Sequence, residues 1–142
     1  MAGLVVAGGR VIDPGRGVDG VGTVAFADGK VVDAASLGPD AERVDATGCL
    51  VVPGIVDLHA HVYWGGTSLG VDADALARHS GTTTWVDVGS AGAANFLGFR
   101  KHVIERSETR ILALLHVSFA GIFGFSEEVM VGESLDREML HP

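Results

Sequence analysis

The stretch Pro53-Gly54-Ile55-Val56-Asp57-Leu58-His59-Ala60-His61 joins a turn dipeptide, an apolar run and two histidines one residue apart. The apolar run predicts a buried β-strand, and side chains in a strand alternate between its two faces. His59 and His61 should therefore point the same way, and Asp57 should share their face. Two neutral imidazoles on one face can bind a transition-metal ion such as zinc, and a carboxylate beside them can fix which ring nitrogen binds.

By itself, a His-x-His pair favours two ordinary polar or core histidines, so the surrounding sequence decides. The pair is followed by Tyr63-Trp64-Gly65-Gly66-Thr67, which predicts a loop at the carboxyl end of the strand. Residues 80–100 then read SGTTTWVDVGSAGAANFLGFR. The motif Pro-Gly-aliphatic-aliphatic-Asp-x-His-x-His and this second segment together resemble the metal-dependent amidohydrolase superfamily, in its deacetylase-like and dihydroorotase-like branch.

The resemblance implies an α/β fold containing a (β/α)8 TIM barrel, whose first strand ends at His61. A barrel of this kind needs about 250 residues, whereas the whole chain has 142. We therefore expect residues 1–52 to form half of a small β-sandwich domain. Residues 53–142 are expected to form the first three βα units of a truncated barrel, so that the chain is an amino-terminal fragment.

The sequence before Pro53 predicts only short β-strands. Residues 4–7 and 10–13 are separated by Gly8-Gly9, which predicts a tight turn between two strands. Asp28-Gly29 predicts a hairpin turn between strands at residues 23–26 and 30–34. Alternating apolar and polar residues continue to residue 52, and this pattern favours an antiparallel sheet with one solvated face.

After His61, helix and strand patterns alternate, which is typical of parallel βαβ units. The predicted elements are a helix at residues 71–79 anchored by Leu76 and stopped by Gly81, a strand at 82–88, a helix at 95–106 and a strand at 110–119. Residues 126–142 predict a truncated helix or a frayed end.

The carboxyl ends of the predicted barrel strands should meet at one mouth, where such barrels hold their active sites. Besides the two histidines of the motif, this placement makes His116, Ser90 and Asn95 candidate substrate-binding residues. His116 is equally compatible with a strand end in solvent, and Ser90 and Asn95 are compatible with purely structural roles in a turn. Asp87 lies inside the second strand, where a structural hydrogen bond is expected.

The resemblance implies hydrolysis of a small-molecule amide or ester with one or two divalent metal ions, most often zinc, and with His59 and His61 as metal ligands. Relatives complete the site with a bridging lysine on the fourth strand, further histidines and a general-base aspartate on the last strand. None of those strands falls within the chain. The catalytic residues are therefore unknown, and the 142 residues alone are expected to be inactive.

The composition excludes several classes of protein. Eighteen acidic against 10 basic residues give a net charge of -8, which argues against a nucleic-acid partner. No apolar run is long enough to span a membrane. The single cysteine, Cys49, fits a reducing compartment such as the cytoplasm and is expected in the core. Two alternatives stay open: a non-catalytic binding module, and a half-barrel that needs a complementing chain or a homo-oligomer.

Overall fold

The structure is a computed structural model that describes residues 3–122. The chain divides into two compact units after Pro53. Each unit contains its own β-sheet, and helices lie between the strands of the second, so the predicted α/β class is confirmed. None of the helices within the described range is long and apolar enough to cross a membrane. The prediction for residues 126–142 lies outside the described residues.

The first unit is a five-stranded sheet built around one long strand. Its strands are β1 (Gly3–Asp13), β2 (Val18–Ala27), β3 (Lys30–Val32), β4 (Glu42–Asp45) and β5 (Leu50–Val51). β1 pairs with β2, β4 and β5, while β3 pairs with β2. Val5, Ala25 and Ala41 are buried together and form its small core.

The predicted hairpin between β2 and β3 is confirmed. Ala27 pairs with Lys30 across a two-residue turn. Asp28 and Gly29 in that turn both have positive φ, 51° and 71°. Two-residue hairpin turns of this kind need left-handed backbone at both positions, and aspartate and glycine adopt it with little strain.

Three predictions for this unit are wrong. Gly8-Gly9 does not reverse the chain, because β1 runs through it with a bulge made by Gly8 at a φ of 82°. The sheet is mixed rather than antiparallel, since β4 and β5 run parallel to β1. Alternation indicates which face is solvated and carries no information on strand direction. Cys49 is exposed instead of buried.

The second unit is a three-stranded parallel sheet in the order β6-β7-β8. Its elements are β6 (Ile55–Ala60), α1 (Ala73–Ser80), β7 (Thr82–Val88), α2 (Phe96–His102) and β8 (Arg110–Leu114). The predicted βαβ succession is therefore confirmed. α2 is shorter than predicted and is followed by a 3₁₀ turn at Ile104–Arg106, and β8 ends before the predicted residue 119.

The core of the second unit is built from both helices and all three strands. Trp85 of β7 and Phe99 of α2 are its largest fully buried side chains. They belong to one apolar cluster with Ala60, Ala73 and Ile111. The helices therefore pack against the sheet through this cluster.

Helix α1 has well-defined ends and a small apolar face. Asp72 caps its amino terminus by accepting the N–H groups of the next turn, and Gly81 ends it at a φ of 71°, as predicted. The prediction that Leu76 anchors the helix is wrong, because that side chain is 42% exposed. Ala73 and Ala77 pack against the core instead, since small side chains let the helix approach the sheet closely.

The carboxylate of Asp74, in the first turn of α1, ties this helix to the segment before β8. Its Oδ1 accepts hydrogen bonds from Ser107 Oγ at 2.6 Å and from Thr109 N and Oγ1 at 3.0 and 2.9 Å. Its Oδ2 accepts from Glu108 N at 2.9 Å. Burial alone would raise the pKa of Asp74, but these hydrogen bonds outweigh burial and lower the pKa from 3.8 to about 2. Trp85 Nε1 also donates to Thr109 Oγ1, at 3.1 Å.

Candidate metal centre

His59 and His61 stand side by side at the carboxyl end of β6. Their ring centroids are 5.9 Å apart, and the ring planes cross at 78° in an edge-to-face arrangement. Ala60 between them is buried, whereas His59 is exposed and His61 is half-buried. The prediction that the two imidazoles come together is confirmed.

Asp57 precedes the pair, and its carboxylate holds the backbone of His59. Its Oδ1 accepts the backbone N–H of His59 at 3.0 Å. The expectation that Asp57 would fix a ring nitrogen stays a prediction. The pairing of β6 with β7 is irregular between Asp57 and Ala60, and such an irregularity breaks the strict alternation on which the expectation depended.

A side-chain contact joins His61 to the loop that follows β7. Ser90 Oγ lies 3.0 Å from His61 Nδ1, and Ser90 is fully buried. Because this contact engages Nδ1, a metal bound by His61 would sit at Nε2. The sequence suggested Ser90 as a substrate contact, and that role stays a prediction.

Asp87, near the end of β7, joins the loops that follow β6 and β7. Its carboxylate accepts the backbone N–H groups of Val62 and Ser90, each at 2.8 Å, and the residue is completely buried. The expected structural hydrogen bond is confirmed, and there are two of them. The alternation argument missed the pairing of the loops, although an ionisable side chain inside an apolar strand already indicates buried hydrogen-bond donors nearby.

Asn95 joins the loops that follow β7 and β8. Its Oδ1 accepts from Gly92 N at 2.9 Å, and its Nδ2 donates to Ala120 O at 2.9 Å. Gly92 lies directly against the second loop, where a Cβ would collide with the carbonyl oxygens of Ser118 and Phe119. The side chain of Asn95 therefore joins two loops at the carboxyl ends of β7 and β8 by hydrogen bonds. A substrate-binding role for Asn95 stays a prediction.

His116 lies beyond the end of β8, against the loop that follows β7. Its backbone N–H donates to Ala91 O, and its ring Nδ1 accepts the N–H of Ser118, both at 2.9 Å. A ring nitrogen that accepts a hydrogen bond carries no proton, so the neutral imidazole holds its proton on Nε2. Gly89, with a φ of 98°, leaves room for the ring, since a Cβ there would lie 2.9 Å from His116 Cδ2. Substrate binding by His116 stays a prediction.

The two imidazoles at the carboxyl end of β6 fit part of a metal site. Nitrogen ligands at about 2.0 to 2.1 Å suit zinc, and imidazole also suits several other divalent metals. Within residues 3–122, no group of three or more His, Cys, Asp and Glu side chains is arranged to hold a metal ion. This part of the chain therefore offers two ligands, and further ligands would come from elsewhere.

The chain is similar to known deacetylases and dihydroorotases. No family model matches the chain. The chain is 45% identical over 98 residues to a deacetylase of Agrobacterium fabrum, covering 67% of this chain and 24% of the deacetylase. It is 53% identical over 62 residues to a dihydroorotase of Anaeromyxobacter sp. (strain K), covering 42% and 14% of the two proteins. A solved dihydroorotase structure matches with a TM-score of 0.74 and 31% identity, covering 87% of this chain and 34% of that one.

The parallel sheet, the paired histidines and these similarities together define the class of the protein. The chain belongs to the amidohydrolase superfamily. Within that superfamily, its relatives are deacetylases and dihydroorotases, so the branch predicted from the sequence is confirmed. In each comparison, the chain spans only a minor part of the relative's length.

Proposed function

We propose that this chain forms part of a metal-dependent hydrolase of amide or ester bonds in small molecules, of the deacetylase or dihydroorotase kind. The observation that carries the proposal is the pair of imidazoles at the end of β6. His59 and His61 are the proposed metal ligands. The similarity to enzymes that carry these names supports the reaction class.

The proposed cofactor is one or two divalent metal ions, most often zinc. When bound, such an ion polarises the scissile carbonyl group and activates water for attack. The residues of this chain would hold and orient the ion. His59 and His61 supply ring nitrogens, Asp57 holds the backbone of His59, and Ser90 holds the ring of His61. The general base and the remaining ligands would lie outside the described residues.

We assign substrate contacts to the loops that follow β7 and β8. His116 is the strongest candidate, because its Nδ1 is engaged by Ser118 and its Nε2 proton can be donated to a carbonyl or carboxylate oxygen. Ser90 would support the site by contacting the ring of His61. Asn95 would support it by hydrogen-bonding to the backbone of both loops.

We further propose that residues 53–142 are the first part of a TIM barrel and that residues 1–52 are half of a β-sandwich. Parallel strands joined by helices support the barrel. Parallel sheets are normally covered by other elements on both faces. Large apolar side chains on β6 and β8 are instead exposed: Ile55, Val56, Leu58, Leu112 and Leu114. Further polypeptide would cover them.

A second candidate follows from the same exposed apolar side chains. The chain would then be a half-barrel that functions with a complementing chain or a second copy of itself, or a binding module without catalysis. Measuring the native mass separates these possibilities. A native mass larger than that of the denatured polypeptide supports a complementing chain or an oligomer, whereas equal native and denatured masses contradict both. We place the protein in the cytoplasm, since one cysteine offers no internal disulfide.

Zinc titration of the full chain tests the metal ligands. We expect His59→Ala and His61→Ala each to weaken zinc binding by at least about tenfold, because each removes one ring nitrogen. His79→Ala is the matched control, since His79 is an exposed histidine in the last turn of α1. Equal zinc binding by all four proteins would show that His59 and His61 are not the ligands.

An activity assay on the native protein tests the hydrolase. We expect release of acetate from N-acetylated amino acids, or hydrolysis of the ring of dihydroorotate, and we expect His61→Ala to abolish it. A native protein that binds zinc at these histidines and hydrolyses neither amides nor esters would contradict the hydrolase and favour the binding module.

A further inference from the structure

Two buried residues connect the end of β7 to His61: Asp87 contacts the backbone of Ser90, and the side chain of Ser90 contacts the His61 ring. Asp87 Oδ1 accepts the backbone N–H of Ser90 at 2.8 Å, and Ser90 Oγ lies 3.0 Å from His61 Nδ1. Asp87 and Ser90 are both 0% exposed. We propose that Asp87 and Ser90 are positioning residues that keep the proton of the His61 ring on Nδ1, so that Nε2 presents a lone pair to a metal ion.

The second oxygen of Asp87 strengthens this placement. Asp87 Oδ2 accepts the backbone N–H of Val62 at 2.8 Å, and Val62 directly follows His61 in the chain. One carboxylate therefore holds the backbone next to the histidine and the backbone of the serine that touches its ring. Because each carboxyl oxygen of Asp87 accepts one of these backbone N–H groups, the two backbones are held in a fixed relation.

The position of the ring proton decides whether His61 can be a ligand. A neutral imidazole has one protonated nitrogen and one lone pair. When His61 Nδ1 donates to Ser90 Oγ, the lone pair is on Nε2. When the serine hydroxyl donates to Nδ1, the proton is on Nε2 and that nitrogen cannot bind a metal. The importance of an unprotonated Nε2 rests on the proposed metal function, whereas the contacts among Asp87, Ser90 and His61 do not depend on that function.

Nitrogen-15 NMR of the histidine ring in the metal-free full chain tests the inference. We expect a protonated Nδ1 and an unprotonated Nε2 for His61 in the wild type. Ser90→Ala should move the proton toward Nε2, while Ser90→Thr keeps the hydroxyl and should keep the wild-type ring. Ser80→Ala is the matched control, because Ser80 precedes β7 whereas Ser90 follows it. Its His61 ring should be unchanged.

The test does not depend on one fragile variant. Asp87→Asn replaces a buried carboxyl group that accepts hydrogen bonds from two loops. The Ser90 variants therefore carry the test, and the Nε1–H signal of Trp85 shows that each protein is folded. If Asp87→Asn folds, its His61 ring should populate both tautomers. A wild-type His61 protonated on Nε2, or an unchanged ring in Ser90→Ala, would overturn the proposal.

Zinc binding gives a second readout. We expect Ser90→Ala to weaken zinc binding by about 10- to 100-fold, as is usual when a partner of a ligating histidine is removed, and Ser90→Thr to restore it. Unchanged zinc binding in Ser90→Ala would overturn the positioning role. If the ring behaves as expected and no protein binds zinc, the positioning stands and the metal function fails, so the two failures are distinguishable.

Discussion

Replacing Asp74 by asparagine should lower the free energy of unfolding at neutral pH. The carboxylate accepts hydrogen bonds from Ser107, Glu108 and Thr109, and its pKa falls to about 2. That lowering corresponds to about 2 kcal/mol, which solvent screening of a partly buried group reduces to about 1 kcal/mol. Asparagine would also turn an amide N–H₂ toward one of the N–H donors, so the expected total loss is about 1 to 2 kcal/mol.

The effect of Asp74→Asn has a defined pH dependence. A carboxylate whose pKa is lowered by folding stabilises the folded state fully above its unfolded pKa, near 3.8, and this contribution is lost as the pH falls through about 2. The difference between the wild type and Asp74→Asn should therefore be largest at neutral pH. It should shrink steadily as the pH is lowered from 4 to 2.

Urea unfolding of the full chain, followed by the fluorescence of Trp85, measures this difference. Trp85 is buried and donates to Thr109, whereas Trp64 is exposed, so a Trp64→Phe background isolates the useful signal. Asp72→Asn is the control, because asparagine caps a helix as well as aspartate does. Equal losses for Asp74→Asn and Asp72→Asn at pH 7, or an undiminished Asp74→Asn loss at pH 2, would refute the reasoning.

Three further substitutions, with Gly38→Ala as a control for the first, test the fold by thermal unfolding. Gly92→Ala should cost about 2 kcal/mol, because its Cβ would collide with backbone, whereas Gly38→Ala has open space and should have little effect; equal effects would contradict the close contact. Gly81→Ala should cost about 1 kcal/mol because alanine disfavours a φ of 71°, and a neutral result would contradict the left-handed end of α1. Asp19→Asn should leave the Tm unchanged, since its ion pair with Arg10 is exposed, and a clear drop would contradict this.

Elements with local signals were predictable from the sequence. The β-branched run predicted β7 with its observed bounds, and Asp28-Gly29 predicted the hairpin because the turn itself requires these residue types. Features that depend on distant partners were not predictable in this way. The direction of β4 and β5 is set by their pairing with β1. The exposure of Leu76 depends on how α1 packs, because Ala73 and Ala77 contact the core instead.

The same distinction between local signals and distant partners applies to the candidate site. His59 lies at the end of β6 and His61 directly after it, so the sequence alone could bring them together. The contact between His61 and Ser90 spans 29 positions and depends on how two strand ends align, which no local pattern reports. The pairing of β6 with β7 is irregular at two places, which the alternation of the sequence did not predict.

The fastening of the loops after β7 and β8 has a consequence for how such a site can evolve. Asn95 bonds to both loops, and Gly92 touches the backbone of the second with no room for a side chain. An insertion or substitution accepted by one loop alone would therefore break the fit to the other. Changes in these loops that preserve the fold should therefore come in pairs, and libraries that diversify only one loop should yield mostly misfolded proteins.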